Sequence, residues 1–404
     1  MKKLIAVLTV LAFVAGGAFA QITVTGDVTA GITVLSGSNA DGDDAVRSGG
    51  VMDGFSVEIS GEAGGGLFGG WLNLSGSGLN EVIGGGRVEL DMGAHAWWQP
   101  NRMFRLYVGY GDGMFGFDEI VLWGFYRTAG NVRIVDAQNA WWQGYAALPL
   151  HFSQAFYDGF AYWGTMMTIR PTHELTFNFG IPFISMMIDD EEMAETGDVL
   201  SALHAQVIFN QPWGRVALTY VGANMWGNAN PLVRDESSNG MIFAYLYLRP
   251  MDDLSLEFGI SFTLPYDDSG SYPIAVGLGA AYNFNPDFGI RARTMAQFGG
   301  DNHGRHMSDW FEDFPPPSFG MLFDVLPFFR VTSSITAFAS LGIAAVAWDS
   351  DGPDTIFDWH FNPYIEIGPD EWGPKFFAGF RLWSEGGSDG HIRWAVPIGV
   401  QVSF

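Results

Sequence analysis

The stretch that most constrains this chain is its last eleven residues, Trp394-Ala395-Val396-Pro397-Ile398-Gly399-Val400-Gln401-Val402-Ser403-Phe404. Trp394, Val396, Ile398, Val400, Val402 and Phe404 are large and apolar, whereas the residues between them are small or polar. That is a β-strand with one oily face and one wet face. A soluble protein must cover such a face with a second layer of structure, but in a membrane lipid covers it. Pro397 has no N–H to give to a ladder and predicts a local bulge on the wet face.

The same alternation recurs along the chain. Ile22 to Leu35 sets Ile22, Val24, Val28, Ala30, Ile32 and Val34 against Thr23, Thr25, Asp27, Thr29 and Thr33. Leu175-Phe177-Phe179-Ile181, Val216-Leu218-Tyr220, Leu254-Leu256-Phe258-Ile260-Phe262 and Ile274-Val276-Leu278-Ala280-Tyr282 follow suit. Segments of about 10 residues with this pattern are the mark of a transmembrane barrel strand. No apolar run is long enough for a spanning helix, although 15% of the residues are aromatic and only 16% are charged. A closed barrel is the other structure that satisfies its backbone inside lipid.

Residues 1–20 read as a secretory signal, with Lys2 and Lys3, an apolar run from Leu4 to Ala15, and Ala18-Phe19-Ala20 as the cleavage site. Residues 21–404 are then one barrel, exported to the cell outer membrane. Removing the two lysines from 19 basic residues leaves 17 against 44 acidic ones, a net charge of −27. Nucleic acid is an unsuitable partner for such a chain. The absence of cysteine excludes thiol catalysis, disulfide scaffolding and a lipoprotein anchor.

Turn residues cluster at 61–66, Gln99-Pro100-Asn101, Arg170-Pro171-Thr172, Asn210-Gln211-Pro212, Arg249 to Asp253, Asn285-Pro286-Asp287, Leu326-Pro327 and 368–374. These eight short junctions predict periplasmic turns. Their longer, acidic and Gly/Ser/Asn-rich counterparts, 36–51, 76–83, 185–199, 224–239, 265–271, 299–317, 349–358 and 385–390, predict extracellular loops. Eight turns separate nine hairpins, hence about 18 strands, with 16 or 20 as alternatives. The interval from Pro100 to Pro171 is nearly double the usual spacing, which leaves 112–158 as a long third loop. An extra hairpin from 117–127 and 140–148 is the competing reading.

Parity assigns the inner face. Apolar Val88, Leu90, Met92, Ala94 and Ala96 point outward, turning Arg87, Glu89, Asp91 and His95 inward. The same rule places Glu58, Arg105, Arg215, Glu257, Arg291, Arg293, Arg381 and Arg393 inside, because a guanidinium facing lipid near mid-membrane costs about 2–4 kcal/mol. The plainer reading of each is a solvated wall residue in a local salt bridge. As a group they predict a water-filled lumen with an arginine-rich wall. Trp98, Tyr110, Trp213, Tyr220 and Trp372 fit interfacial girdles.

Other motifs carry less. Gly111-Asp112-Gly113-Met114-Phe115-Gly116 has dinucleotide-loop spacing but no helix pattern after it, and Gly386-Gly387-Ser388-Asp389-Gly390 lacks a strand-to-helix elbow. His303 and His306 near Asp301 and Asp309, and the acidic runs at 41–44 and 189–192, read as surface loop residues rather than metal sites. Ser201 with His204, and Ser153 with His151, are poor candidates for a hydrolase pair. No enzyme activity, cofactor or metal is expected.

The terminal strand, the alternation and the short-turn/long-loop asymmetry together resemble bacterial outer-membrane β-barrels of the porin type, general or maltoporin-like. The resemblance implies that Trp394, Val400, Val402 and Phe404 form the signal read by the barrel-assembly machinery. It implies that the third loop folds into the lumen, where Asp118, Glu119 and Asp136 face Arg87, Arg105 and Arg393 across a constriction. It implies a solute-stacking role for Trp97, Trp141 and Trp142, with packing of the loop against the wall as the alternative. It also implies a homotrimer in outer-membrane lipid, passing small hydrophilic solutes or ions; the net charge of −27 concentrated in the loops, opposed by the arginine-rich wall, predicts only a mild cation preference. A sugar-selective channel, or a plugged adhesin or structural barrel, is the alternative.

Overall fold

The computed structural model describes residues 21–38, 47–77, 89–111, 162–182, 203–221, 241–263, 274–298, 319–347, 355–369, 373–385 and 391–403. They form strands β1 Gln21–Ser38, β2 Arg47–Ala63, β3 Phe68–Ser77, β4 Glu89–Asn101, β5 Phe104–Gly111, β6 Tyr162–Ile169, β7 Leu175–Pro182, β8 His204–Gln211, β9 Gly214–Val221 and β10 Met241–Met251. They continue with β11 Leu254–Thr263, β12 Ile274–Asn285, β13 Phe288–Phe298, β14 Phe319–Thr332, β15 Ile335–Ala347, β16 Ile356–Ile367, β17 Gly373–Gly379, β18 Arg381–Glu385 and β19 His391–Ser403. All are antiparallel in one sheet, and β1 pairs with both β2 and β19, so the ladder returns to its start. This is a closed barrel whose strands have no free edge.

β17 and β18 are halves of one strand. Both pair with β16 and β19, in unchanged register across the break at Phe380. Pro363 on β16 and Pro397 on β19 flank that break, and neither has an N–H for the ladder. Phe380 still donates its own N–H to the Pro363 carbonyl, at 2.9 Å. The described residues therefore give eighteen positions around the wall, as the turn count predicts. The bulge expected at Pro397 is present, but on the partner strand: Thr33 faces Pro397 and Leu35 faces Val396, leaving Val34 as the extra residue.

β5 is paired along its whole length, with Phe104 to Gly111 facing Ile169 to Tyr162 on one side and β4 on the other. The ring closes at eighteen with nothing inserted between β5 and β6. The third loop itself lies outside the described residues.

One turn assignment is corrected. Leu326-Pro327 is not a turn but lies inside β14, and the reversal comes at Ser333 and Ser334. The β14–β15 ladder skips Leu326 and Pro327, resuming at Phe328↔Phe338 without a register shift. The proline's missing donor is thus absorbed as a short gap. The true turn uses threonine chemistry, with the Ser334 backbone N–H donating to Thr332 Oγ1 at 3.2 Å. Elsewhere the junctions behave as their residues dictate. Asn101 Oδ1 accepts from the Met103 and Phe104 amides at 2.8 and 3.0 Å, and Asn285 Oδ1 accepts from Asp287 and Phe288, both at 2.9 Å. Gly64, Gly65 and Gly66 take φ of 63°, 68° and 88°, which only glycine adopts without strain.

The two faces separate cleanly. Val207, Phe209, Leu218, Phe258, Leu278, Phe323, Leu341 and Ile343 are exposed on the outside, and Trp98 and Trp213 stand exposed beside short turns, as a girdle requires. No helix among the described residues is long and apolar enough to cross a membrane.

Candidate functional site: the inner wall

One row of directly opposed inner positions runs Tyr247, Glu257, Gly279, Arg293, Asp324, Gly342, His360, Trp383, Arg393 across β10 to β19. Arg293 donates from Nε to Asp324 Oδ2 at 2.7 Å and from Nη2 to the same oxygen at 2.5 Å, and both side chains are 1% exposed. Charge-assisted bonds this short are the strong kind. Gly342 makes room for the next contact. A Cβ there would lie 2.1 Å from His360 Cε1 and 2.2 Å from Asp324 Oδ1, so both side chains lean over the glycine. His360 Nε2 is 2.8 Å from Ser340 Oγ, and Ser340 faces Asn362 in the ladder. Arg381 lies 4.7 Å above the Trp383 ring, and Arg291 5.8 Å above Phe328. Phe338 stacks on Tyr364 at 4.8 Å, and Lys375 Nζ reaches Glu366 Oε2 at 3.5 Å.

A second stretch of wall is neutral. Thr168, Asn178, Gln206 and Thr219 stand opposite one another on β6, β7, β8 and β9. Thr168 Oγ1 donates to Asn178 Oδ1 at 2.7 Å, Asn178 Nδ2 to Gln206 Oε1 at 2.8 Å, and Gln206 Nε2 to Thr219 Oγ1 at 3.1 Å. All four are buried, and each bond closes because side chains directly opposite across a ladder sit within reach.

A third stretch is aromatic. Trp71 stacks on His95 at 5.0 Å, and His95 meets Trp97 at 5.9 Å and Tyr107 at 5.7 Å. The Trp97 ring covers Gly69, where any Cβ would collide with it. Arg105 lies 5.7 Å from the Trp97 centroid and 5.5 Å from that of Tyr107. It donates from Nε to Gln99 Oε1, and from Nη1 to Tyr107 OH at 2.8 Å. Arg215 repeats the device two strand pairs away, donating from Nε to Asn210 Oδ1 at 2.7 Å.

Glu58, His95, Arg105, Arg215, Glu257, Arg291, Arg293, Arg381 and Arg393 stand at register positions opposite other inner residues. Glu58 accepts from Asn73 Nδ2 at 3.3 Å. Glu89 and Asp91 face Ser77 and Ser75 in the ladder. Arg105 and Arg215 directly follow short turns, whereas Arg393 lies near the other end of its strand. Arg87, Asp118, Glu119, Asp136, Trp141, Trp142 and Phe404 lie outside the described residues. Sequence reasoning missed Asp324, His360, Ser340, the amide ladder, Trp71 and Tyr107. Misplacing the turn at Leu326-Pro327 put Asp324 at a strand end, although the spacing of Phe323, Val325 and Phe329 could have found it.

No family model and no curated protein matches the chain. Solved structures do. The anion-selective porin from Comamonas acidovorans aligns with a TM-score of 0.51 at 10% identity, over 95% of this chain and 100% of that one. OccAB4 of Acinetobacter baumannii aligns at 0.53 and 9%, over 96% and 98%. OpdQ of Pseudomonas aeruginosa aligns at 0.53 and 11%, over 95% and 99%. At such identities the likeness is one of fold, and the fold is that of the porin-type outer-membrane β-barrel.

Proposed function

We propose that the protein is a passive diffusion channel of the bacterial outer membrane for small hydrophilic solutes or ions. The carrying observation is the division of one closed eighteen-position wall into an apolar outer face and an inner face of charged, amide and hydroxyl groups. A barrel of this size encloses more space than its own inward side chains fill. Residues 112–158 serve as the constriction in this reading, with Asp118, Glu119 and Asp136 facing a basic wall. Direct β5–β6 pairing supports it, because the ladder of described strands passes from β5 to β6 with no other strand between them. The acidic loops raise cation concentration at the mouth and the arginines oppose them, giving mild cation preference. Residues 1–20 are the export signal, and the terminal strand is read by the assembly machinery. Trimers are the expected form.

A plugged barrel is the second reading, and one observation favours it. Arg293, Asp324 and Ser340, all on the inner wall, are as buried as a soluble core. Single-channel recording of the refolded protein in a planar bilayer decides between them. Stable conductance steps that grow when 112–158 is shortened support the constricted channel. A folded, heat-modifiable barrel that passes no current would replace it with the plugged one.

A further inference from the structure

Proline cannot complete a ladder, and among the described strands it falls away from the strand ends only at Pro327 on β14, Pro363 on β16 and Pro397 on β19. The register puts these defects side by side. Pro327 faces Ile290 and stands level with Ala339, Ala339 faces Pro363, and Phe380 donates to the Pro363 carbonyl at 2.9 Å. The return bond, from residue 363 to the Phe380 carbonyl, has no hydrogen to use. Gly379 meets the same lack at Pro397, which stands opposite it one step beyond Ala378↔Ile398. The row then reaches Val396 facing Leu35, beside the extra residue Val34, and β1 shifts against β2 between Thr33 and Ser36. From β3 to β14 no ladder shifts inside a strand, because the shifts at Trp98/Asn101, Leu248/Met251 and Asn283/Asn285 all lie at short turns. Weakened pairing is thus gathered in one sector of the wall.

Inner side chains brace this sector. Lys375 Nζ reaches Glu366 Oε2 at 3.5 Å between β17 and β16, and Phe338 stacks on Tyr364 at 4.8 Å between β15 and β16. The Trp359 N–H donates to Ser384 Oγ at 2.8 Å between β16 and β18, so that a side chain takes the place of a backbone acceptor. We propose that β16 to β19 and β1 form a flexible panel in an otherwise stiff barrel, folding along the row of proline gaps and held shut by these side-chain braces. Each missing donor removes a bond that would resist bending, and the bonds that remain open locally at lower cost than those of β10–β13. Movement of the panel changes the cross-section of the lumen beside His360 and Trp383 without unpairing the rest of the wall. The inference concerns the wall alone and holds for a conducting or a plugged barrel.

Hydrogen–deuterium exchange of the protein folded into lipid nanodiscs, read by mass spectrometry and corrected for intrinsic rates, tests the panel. Amides from Phe377 to Leu382 exchange roughly tenfold faster than those from Phe258 to Thr263, which lie as far from their own short turn. Pro363→Ala combined with Pro397→Ala restores both donors, and slows the first segment roughly tenfold while leaving the second unchanged. Glu366→Gln takes the charge out of one brace and speeds exchange at 377–382 roughly two- to fivefold. Should the proline variant misfold, the wild-type comparison and Glu366→Gln decide. Equal protection of the two wild-type segments, or substitutions that leave Phe377 to Leu382 unchanged, overturns the panel. Faster exchange spread evenly over all strands of Glu366→Gln would overturn it too, because that marks lost global stability rather than a local hinge.

Discussion

The inner wall of β6–β9 and that of β13–β16 are buried alike, yet they meet the cost of burying polar atoms in different ways. On β6–β9 the four linked groups are neutral, and Thr168, Asn178, Gln206 and Thr219 pass one hydrogen bond to the next across four strands. On β13–β16 the groups are ionic, with Arg293 and Asp324 in contact and His360 leaning toward the carboxylate over Gly342. The neutral ladder loses little if one link is weakened, because hydroxyls and amides keep other donors and acceptors. The ionic stretch depends on both charges being present, because a lone buried charge has no comparable substitute. The first is built for evenness and the second for mutual dependence.

Asp324→Ala should have the largest effect, destabilising the barrel by about 3–5 kcal/mol by removing the carboxylate that accepts two hydrogen bonds from the buried Arg293 guanidinium. Equilibrium unfolding in urea reads this, and an Arg293→Met/Asp324→Leu double variant should recover most of the loss. Gly342→Ala comes next, at about 1–3 kcal/mol, since the new methyl would overlap His360 and Asp324. Gln206→Ala removes the central link of the neutral ladder and should cost about 2 kcal/mol. Its reversal potential in a salt gradient should match that of wild type, whereas Asp324→Ala shifts it toward anions. Thr219→Val, at the end of the ladder, should cost about 1 kcal/mol. A Gln206 cost equal to that of Asp324 would erase the distinction between the two stretches.

Much of this architecture can be read from alternation, because a period of two leaves each strand residue only two faces to choose between. Arg105, Arg215, Glu257, Arg291 and Arg293 all follow their parity. What parity cannot supply is lateral register. Asn178 meets Gln206 only because β7 and β8 pair with that offset, and no local residue announces it. The glycines at 279 and 342 likewise read as weak strand positions, and only the assembled ladder reveals Gly342 as the gap that His360 and Asp324 share. Proline misled at 327 because a strand can absorb one missing donor as a two-residue gap, and the serine turn that followed carries no glycine, proline or asparagine to mark it.

The central claim is that the wall separates lipid from water, and two neighbouring alanines on β12 test it most directly. Ala281 faces inward opposite Arg291, while Ala280 faces outward opposite Ala292. The chain has no cysteine of its own, so Ala281→Cys and Ala280→Cys can be compared without background. In membranes, a charged, membrane-impermeant methanethiosulfonate should modify the Ala281→Cys protein and reduce its single-channel current, and leave the Ala280→Cys protein untouched. An inert Ala281→Cys protein, or equal labelling of both, would contradict a water-filled lumen behind this wall.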